Sequence, residues 1–175
     1  AYAATTFASS APALAHAFGF SPIWAGAIVG VFGAGAVSAG VLVGGRHASS
    51  MRIAFMLAVM GCGLVGLAVM PRFALALVFA GAAGFGYLSS NAAATSQLQL
   101  GVDEALRGRI MAMWSVAFLG IRPIASIIDG TLAGTLGVRT AAAAMATPAF
   151  ILAATMFVRA WRDEQVAGGR TRARF

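Results

Sequence analysis

From Ala1 to Gly45 the chain contains no Asp, Glu, Lys or Arg. A charge-free run of that length overshoots a single crossing of a hydrocarbon core about 30 Å thick, because a helix rises only about 1.5 Å per residue. It must therefore be broken into two segments. The break falls at Gly19-Phe20-Ser21-Pro22, where a glycine ends one helix and Ser followed by Pro opens the next.

The rest of the chain repeats this pattern. Of 175 residues, 60% are hydrophobic and 10% charged, whereas soluble domains carry roughly a quarter of their residues as Asp, Glu, Lys and Arg. Such a mixture cannot clothe a water-soluble globule. Short polar turns divide the chain into apolar segments at about 3–18, 22–45, 53–70, 73–97, 108–136 and 140–158. The expected fold is an all-α membrane protein, one six-helix transmembrane bundle over residues 1–160 whose first helix is incomplete. A polar tail, 161–175, is expected to be disordered and cytoplasmic. The chain opens on Ala1 with no basic segment ahead of the first apolar stretch, which reads as an N-terminally truncated sequence without a signal peptide.

Charge placement sets the orientation. The net charge is +7 and every basic residue is Arg. Arg46, Arg52, Arg107, Arg109, Arg159, Arg162, Arg170, Arg172 and Arg174 fall in alternate loops and the tail; the opposite loops hold only Arg72 and Arg139. By the positive-inside rule the richer side is cytoplasmic, and the C-terminus lies there. No aromatic residues interleave the arginines as a base-stacking surface requires, so nucleic acid is not an expected partner. Cys62, the single cysteine, sits in an apolar run, allows no intrachain disulfide or multi-cysteine metal site, and reads as a small packing residue.

Several residues stand out within the spans. Gly26 with Gly30, and Gly40 with Gly44, are small-xxx-small pairs, with Gly33 and Gly35 between them, that let helices approach closely in lipid, either as a static contact or as a sliding one. Pro123 and Pro148 interrupt the last two spans, each removing a backbone hydrogen bond and predicting a kink or hinge. Arg122 and Asp129 are charged residues deep inside a span, each costing about 2.5–3.5 kcal/mol if left facing lipid. Seven residues are two turns, so both lie on one face, directed to the bundle interior or a watery cavity for a functional or a structural contact. Asn91 and Gln97 can hydrogen-bond across helices or to a polar substrate. His16 is a candidate for proton coupling or a plain interfacial residue. Trp24, Trp114 and Trp161 read as depth markers at the headgroup level. No set of groups suits enzymatic chemistry, and neither a cofactor nor a metal is expected.

The stretch from Asn91 through Thr95, Gln97, Asp103, Glu104, Arg107, Gly108 and Arg109 to Met111, followed by Ala117-Phe118-Leu119-Gly120-Ile121-Arg122-Pro123, resembles the major facilitator superfamily. It is similar in particular to the branch of enterobactin exporters and drug-efflux proteins, in which a polar stretch, an acidic pair and an Arg-Gly-Arg turn join helices ten and eleven. Gly44-Gly45-Arg46-His47 is a degenerate echo of the superfamily's loop motif. Arg122 and Asp129 depart from the mostly apolar positions of that branch. The resemblance spans about residues 10–160 and implies the C-terminal half of a twelve-helix transporter of the bacterial inner membrane. Its expected work is export of a small organic molecule of drug or siderophore type by alternating access, coupled to protons. Its expected partners are the lipid bilayer, the N-terminal half of the same transporter, the substrate and protons. On the resemblance, spans one, two, four and five line the cavity and spans three and six face lipid. A non-transporting helical bundle, serving as an assembly or sensor subunit, is the alternative from another class.

The membrane reading has a direct check. The purified chain is expected to stay dispersed only in detergent or lipid; a monodisperse peak in plain buffer on size-exclusion chromatography refutes it.

Overall fold

The computed structural model describes the backbone of residues 2–43 and 49–172, with side chains for 10–21, 23–43 and 49–162. Among the described residues all regular structure is helical: α1 (Tyr2–Ala17), a single 3-10 turn (Pro22–Trp24), α2 (Ala25–Val43), α3 (Ser50–Val69), α4 (Phe73–Leu100), α5 (Glu104–Leu136), α6 (Val138–Ala144) and α7 (Ala146–Arg172). Five stretches, namely α2, α3, α4, α5 and the α6–α7 segment Val138–Arg162, are long and apolar enough to cross a bilayer. The chain is a multi-pass membrane protein by that measure.

Local chemistry explains the boundaries. α1 stops where Gly19 turns to φ +79°, and the Gly19 N–H donates to His16 O (2.8 Å) while the Phe20 N–H donates to Ala15 O (3.1 Å). That pair of bonds is the Schellman closure, which satisfies the last carbonyls of the helix and suits a residue without a Cβ. α3 opens on Ser49, whose side chain accepts from the Arg52 N–H at 3.2 Å. Gly137, at φ +86°, makes the sharp turn from α5 into α6. The last expected span is divided: α6 ends at Ala144, Met145 makes a turn, and α7 begins at Ala146. The reason is Pro148, which lacks an N–H and obstructs the carbonyl four residues earlier, at Ala144. α5, by contrast, runs continuously through Pro123. α7 continues as helix from 161 to Arg172, where an irregular tail was expected.

α4 is the central helix. It packs against α2 on one side and α3 on the other, and α3 in turn packs against α6 and α7. The close contacts fall outside the two small-xxx-small pairs, on Gly35 between them and on glycines of α3 and α4. A Cβ added at Gly35 would run into the carbonyl of Gly81, and one at Gly84 into the carbonyl of Phe32, so α2 and α4 meet backbone to backbone. Gly63 and Gly86 bring α3 equally close to α4, with Cβ positions 2.6 Å from Ala83 N and Met60 N. A Cβ at Gly26 or Gly30 meets nothing within 4 Å, and one at Gly40 only the Leu88 side chain at 3.8 Å; Gly44 lies outside the described residues, as do Gly45, Arg46 and His47. The i, i+4 pattern found glycines, but the helix face turned to α4 decides which of them touch. Cys62 is likewise exposed on α3, not packed. α3, assigned to lipid on the resemblance, is the most enclosed long helix, with 44% of its apolar window buried against 6% for α5.

At one end of the bundle Arg139 ties three segments together. Its Nη1 donates to Met70 O and its Nη2 to Ala17 O, each at 3.5 Å, at the C-terminal ends of α3 and α1, and its guanidinium lies 4.4 Å from the Phe18 ring centroid. A cation at two helix C-termini meets the negative ends of both dipoles. Beside it Phe18, Phe20, Trp24 and Phe73 form an aromatic cluster, Phe73 lying 4.7 Å from Phe20 and 5.6 Å from Phe18 between ring centroids.

Gly84→Ala is expected to cost about 1–3 kcal/mol by forcing α2 off α4, whereas Gly30→Ala should stay within about 0.5 kcal/mol. Thermal unfolding in detergent reads both, and equal losses in the two variants would show that the α2–α4 contact does not limit stability.

Candidate functional site

α5 presents one face to the bundle. Along it Phe118, Arg122, Ser126, Leu132 and Ala133 are half-buried and Ala125 and Asp129 buried, while Val116, Leu119, Ile124 and Ile127 point outward and are exposed. Asp129 is 3% exposed. Arg122 Nε is buried with no hydrogen-bond partner among the described residues. Both charges thus sit on the inward face of a helix whose other faces are apolar, as the seven-residue spacing requires. A charge on any outward face would have to be lodged in hydrocarbon.

The hydroxyl groups of α5 need no outside partner. Ser126 Oγ donates to Arg122 O (3.1 Å), Thr131 Oγ1 to Ile127 O (3.0 Å) and Thr135 Oγ1 to Thr131 O (2.8 Å), each one turn back along the same helix. That pattern lets a hydroxyl face an apolar medium and slightly loosens the turn it joins. Near Pro123, which already removes a backbone bond, the bond from Ser126 adds a second perturbation beside Arg122.

N-terminal to Arg122, two aromatic residues extend the same face. Trp114 and Phe118 stack with centroids 6.3 Å apart and planes at 27°, and the Arg122 guanidinium carbon lies 5.6 Å from the Phe118 centroid. Positions 114, 118 and 122 are successive i, i+4 neighbours, so the ladder is a consequence of helical spacing. Opposite it, Tyr87, Ser90 and Asn91 of α4 and Pro148 of α7 complete a cavity of about 460 Å³. A smaller space of about 260 Å³ adjoins it, lined by Asn91, Trp114, Ser115, Phe118 and Leu119. Asn91 belongs to both, and its Oδ1 accepts from Thr95 Oγ1 at 3.5 Å. Such a pocket is largely apolar with a few directed polar groups, the usual form of a small-molecule site.

The structure therefore brings Asn91 of α4 to the same cavity as Trp114 and Phe118 of α5; Arg122, in contact with Phe118, and Asp129 line neither cavity, and the other candidates lie elsewhere. Gln97 is half-buried further along α4 and lines neither cavity. His16 lies in the exposed last turn of α1, at the end of the bundle that Arg139 closes. Asp103, Glu104, Arg107, Gly108 and Arg109 are exposed, but most of them are helical: α5 begins at Glu104 with Asp103 as its cap residue, four residues ahead of the expected start of that span. A carboxylate in the first turn complements the helix dipole, which favours the earlier start. Trp114 and Phe118 were missed as site residues because a tryptophan near a span end reads as an interface anchor; their spacing from Arg122 was the available signal. Compared with known protein families, curated proteins and solved structures, the chain matches none of them.

The cavity wall is expected to be wet where the outer face is not. On a Cys62→Ala background, Ser115→Cys should react with a water-soluble maleimide in membranes, while Val116→Cys should not, since a thiol in hydrocarbon does not ionise. Equal labelling at both positions would contradict a water-filled site.

Proposed function

We propose that this chain is the C-terminal half of a proton-coupled secondary transporter of the major facilitator type, in the bacterial inner membrane with its C-terminus in the cytoplasm. It moves a small organic molecule of drug or siderophore type outward by alternating access. The observation that carries the reading is the inward face of α5, where Trp114 and Phe118 line the Asn91 cavity, Arg122 follows one turn beyond Phe118, and buried Asp129 lies two turns further on. Buried charges within membrane helices are costly and belong to pathways or coupling sites more often than to packing.

The ladder suggests the substrate's chemistry. A guanidinium binds carboxylate or catecholate oxygen through charge-assisted hydrogen bonds, and stacked rings hold an aromatic plane. An anionic aromatic molecule suits both. In this reading Arg122 binds the anion, Asn91 orients it, and Asp129 is the carboxylate that takes up and releases the coupled proton. α2 and α5 leave long apolar faces exposed, including Val29, Val37 and Val41 on α2 and Ile121, Ile124 and Ile128 on α5. A second bundle against those faces supplies the other wall of the cavity, and rocking between the two bundles alternates the opening.

The test is flux by the full-length protein in proteoliposomes under an imposed pH gradient, with an anionic catechol conjugate and a lipophilic dye as probes. Arg122→Ala should lower catechol flux about tenfold or more, equivalent to at least about 1.4 kcal/mol, and Asp129→Asn should abolish the response to the gradient. Undiminished, gradient-driven flux in both variants would refute these roles. No flux of either probe by the wild-type protein would favour a non-transporting packing subunit.

A further inference from the structure

A second concavity lies on the outer surface, between α3 and α7, with a volume of about 740 Å³. Its floor is apolar and its walls are aromatic, formed by Phe55 and Ala58 of α3 and Phe150, Ala154 and Phe157 of α7. At one end the lining turns polar with Ser49 and Arg52. The helices run antiparallel: a Cβ at Gly61 would lie 2.9 Å from the Phe150 ring, while Arg52 and Val158 line the other end. That register places Arg162, one turn beyond Val158 on the same edge of α7, level with Ser49 and one turn from Arg52, whereas Arg159 lies on the far face of α7 from the groove.

We propose that this groove binds an anionic phospholipid, one acyl chain lying along Phe55, Phe150 and Phe157 and the phosphate held by Arg52 with Arg162. The inference needs only the membrane reading and is independent of transport. Charge complementarity decides the occupant. Arg52 is anchored by donating from Nη2 to Val43 O at 2.9 Å, at the end of α2, so a guanidinium stands fixed at the mouth of an apolar channel. Among the described side chains, the loops and helix ends on this side carry Arg52, Arg107, Arg109, Arg159 and Arg162 against the carboxylates Asp103 and Glu104. A zwitterionic headgroup gains little from that excess, whereas an anionic one is attracted by each arginine near the surface. Trp161, exposed one turn beyond Phe157, lies where a headgroup-level ring is expected.

Trp161 is also the reporter. With Trp24→Phe and Trp114→Phe leaving it as the only tryptophan, the chain is reconstituted in phosphatidylcholine vesicles containing either brominated phosphatidylglycerol or brominated phosphatidylcholine at equal mole fraction. Quenching by the anionic lipid should reflect an apparent affinity at least about fivefold higher, and Arg162→Gln, which alters an exposed side chain, should reduce that preference about fivefold. Ala58→Phe, which fills the groove, should weaken quenching by both lipids with helicity unchanged. Millimolar inorganic phosphate should leave the preference intact; its loss would assign the arginines to a free anion and overturn the proposal. Equal quenching by the two lipids overturns it as well.

Discussion

In hydrocarbon, apolar helices gain nothing from hiding their side chains from water, so this bundle depends on how near α4 comes to α2 and α3. At Gly35, Gly84, Gly63 and Gly86 the backbones approach to the limit set by a missing Cβ. Dispersion between closely packed atoms is small per pair and adds up only where many atoms meet at that distance. The tight α2–α4–α3 block then holds α6 and α7 through α3, while α5 joins through α1 and the short turn to α6. Tight packing on one side and sparse packing on the other is what leaves room for a cavity.

That asymmetry explains the placement of the charges. α5 is the least enclosed long helix, so its outward faces must tolerate lipid or a second bundle, and they carry Ile, Leu and Val. The single face turned inward is the place where Arg122 and Asp129 avoid hydrocarbon. Once a guanidinium is there, the aromatic rings one and two turns away shield it and offer their negative faces, so Phe118 and Trp114 belong to the same local solution. Arg139 solves a related problem differently: at the end of the bundle it spends its donors on the carbonyls of Ala17 and Met70, joining the C-terminal ends of α1 and α3.

Much of this was legible in the chain. The break at Gly19 follows from glycine's access to positive φ, and the grouping of Arg122 with Asp129 follows from 3.6 residues per turn. The kink at Pro148 follows from its missing N–H, although its extent, a full division into α6 and α7, depends on how the neighbouring turns relax. The glycine pairs of α2 were harder. Gly26 and Gly30 satisfy the spacing rule as well as any, yet Gly35 makes the contact, because spacing defines a helix face without saying which neighbour it meets.

The sequence by itself determined that the chain is a set of membrane helices, where all but the last begin and end to within about four residues, and which residues share a face. These are properties of one helix at a time, set by hydrophobicity, capping and helical period. Only the tertiary structure decided that α4 is the central helix, that Trp114 and Asn91 look into one cavity, that Cys62 is exposed, and that a Cβ at Gly30 would meet open space. The physical reason is that lipid rewards every apolar face equally, so the choice among faces rests on the fit between particular helices, which no single segment encodes.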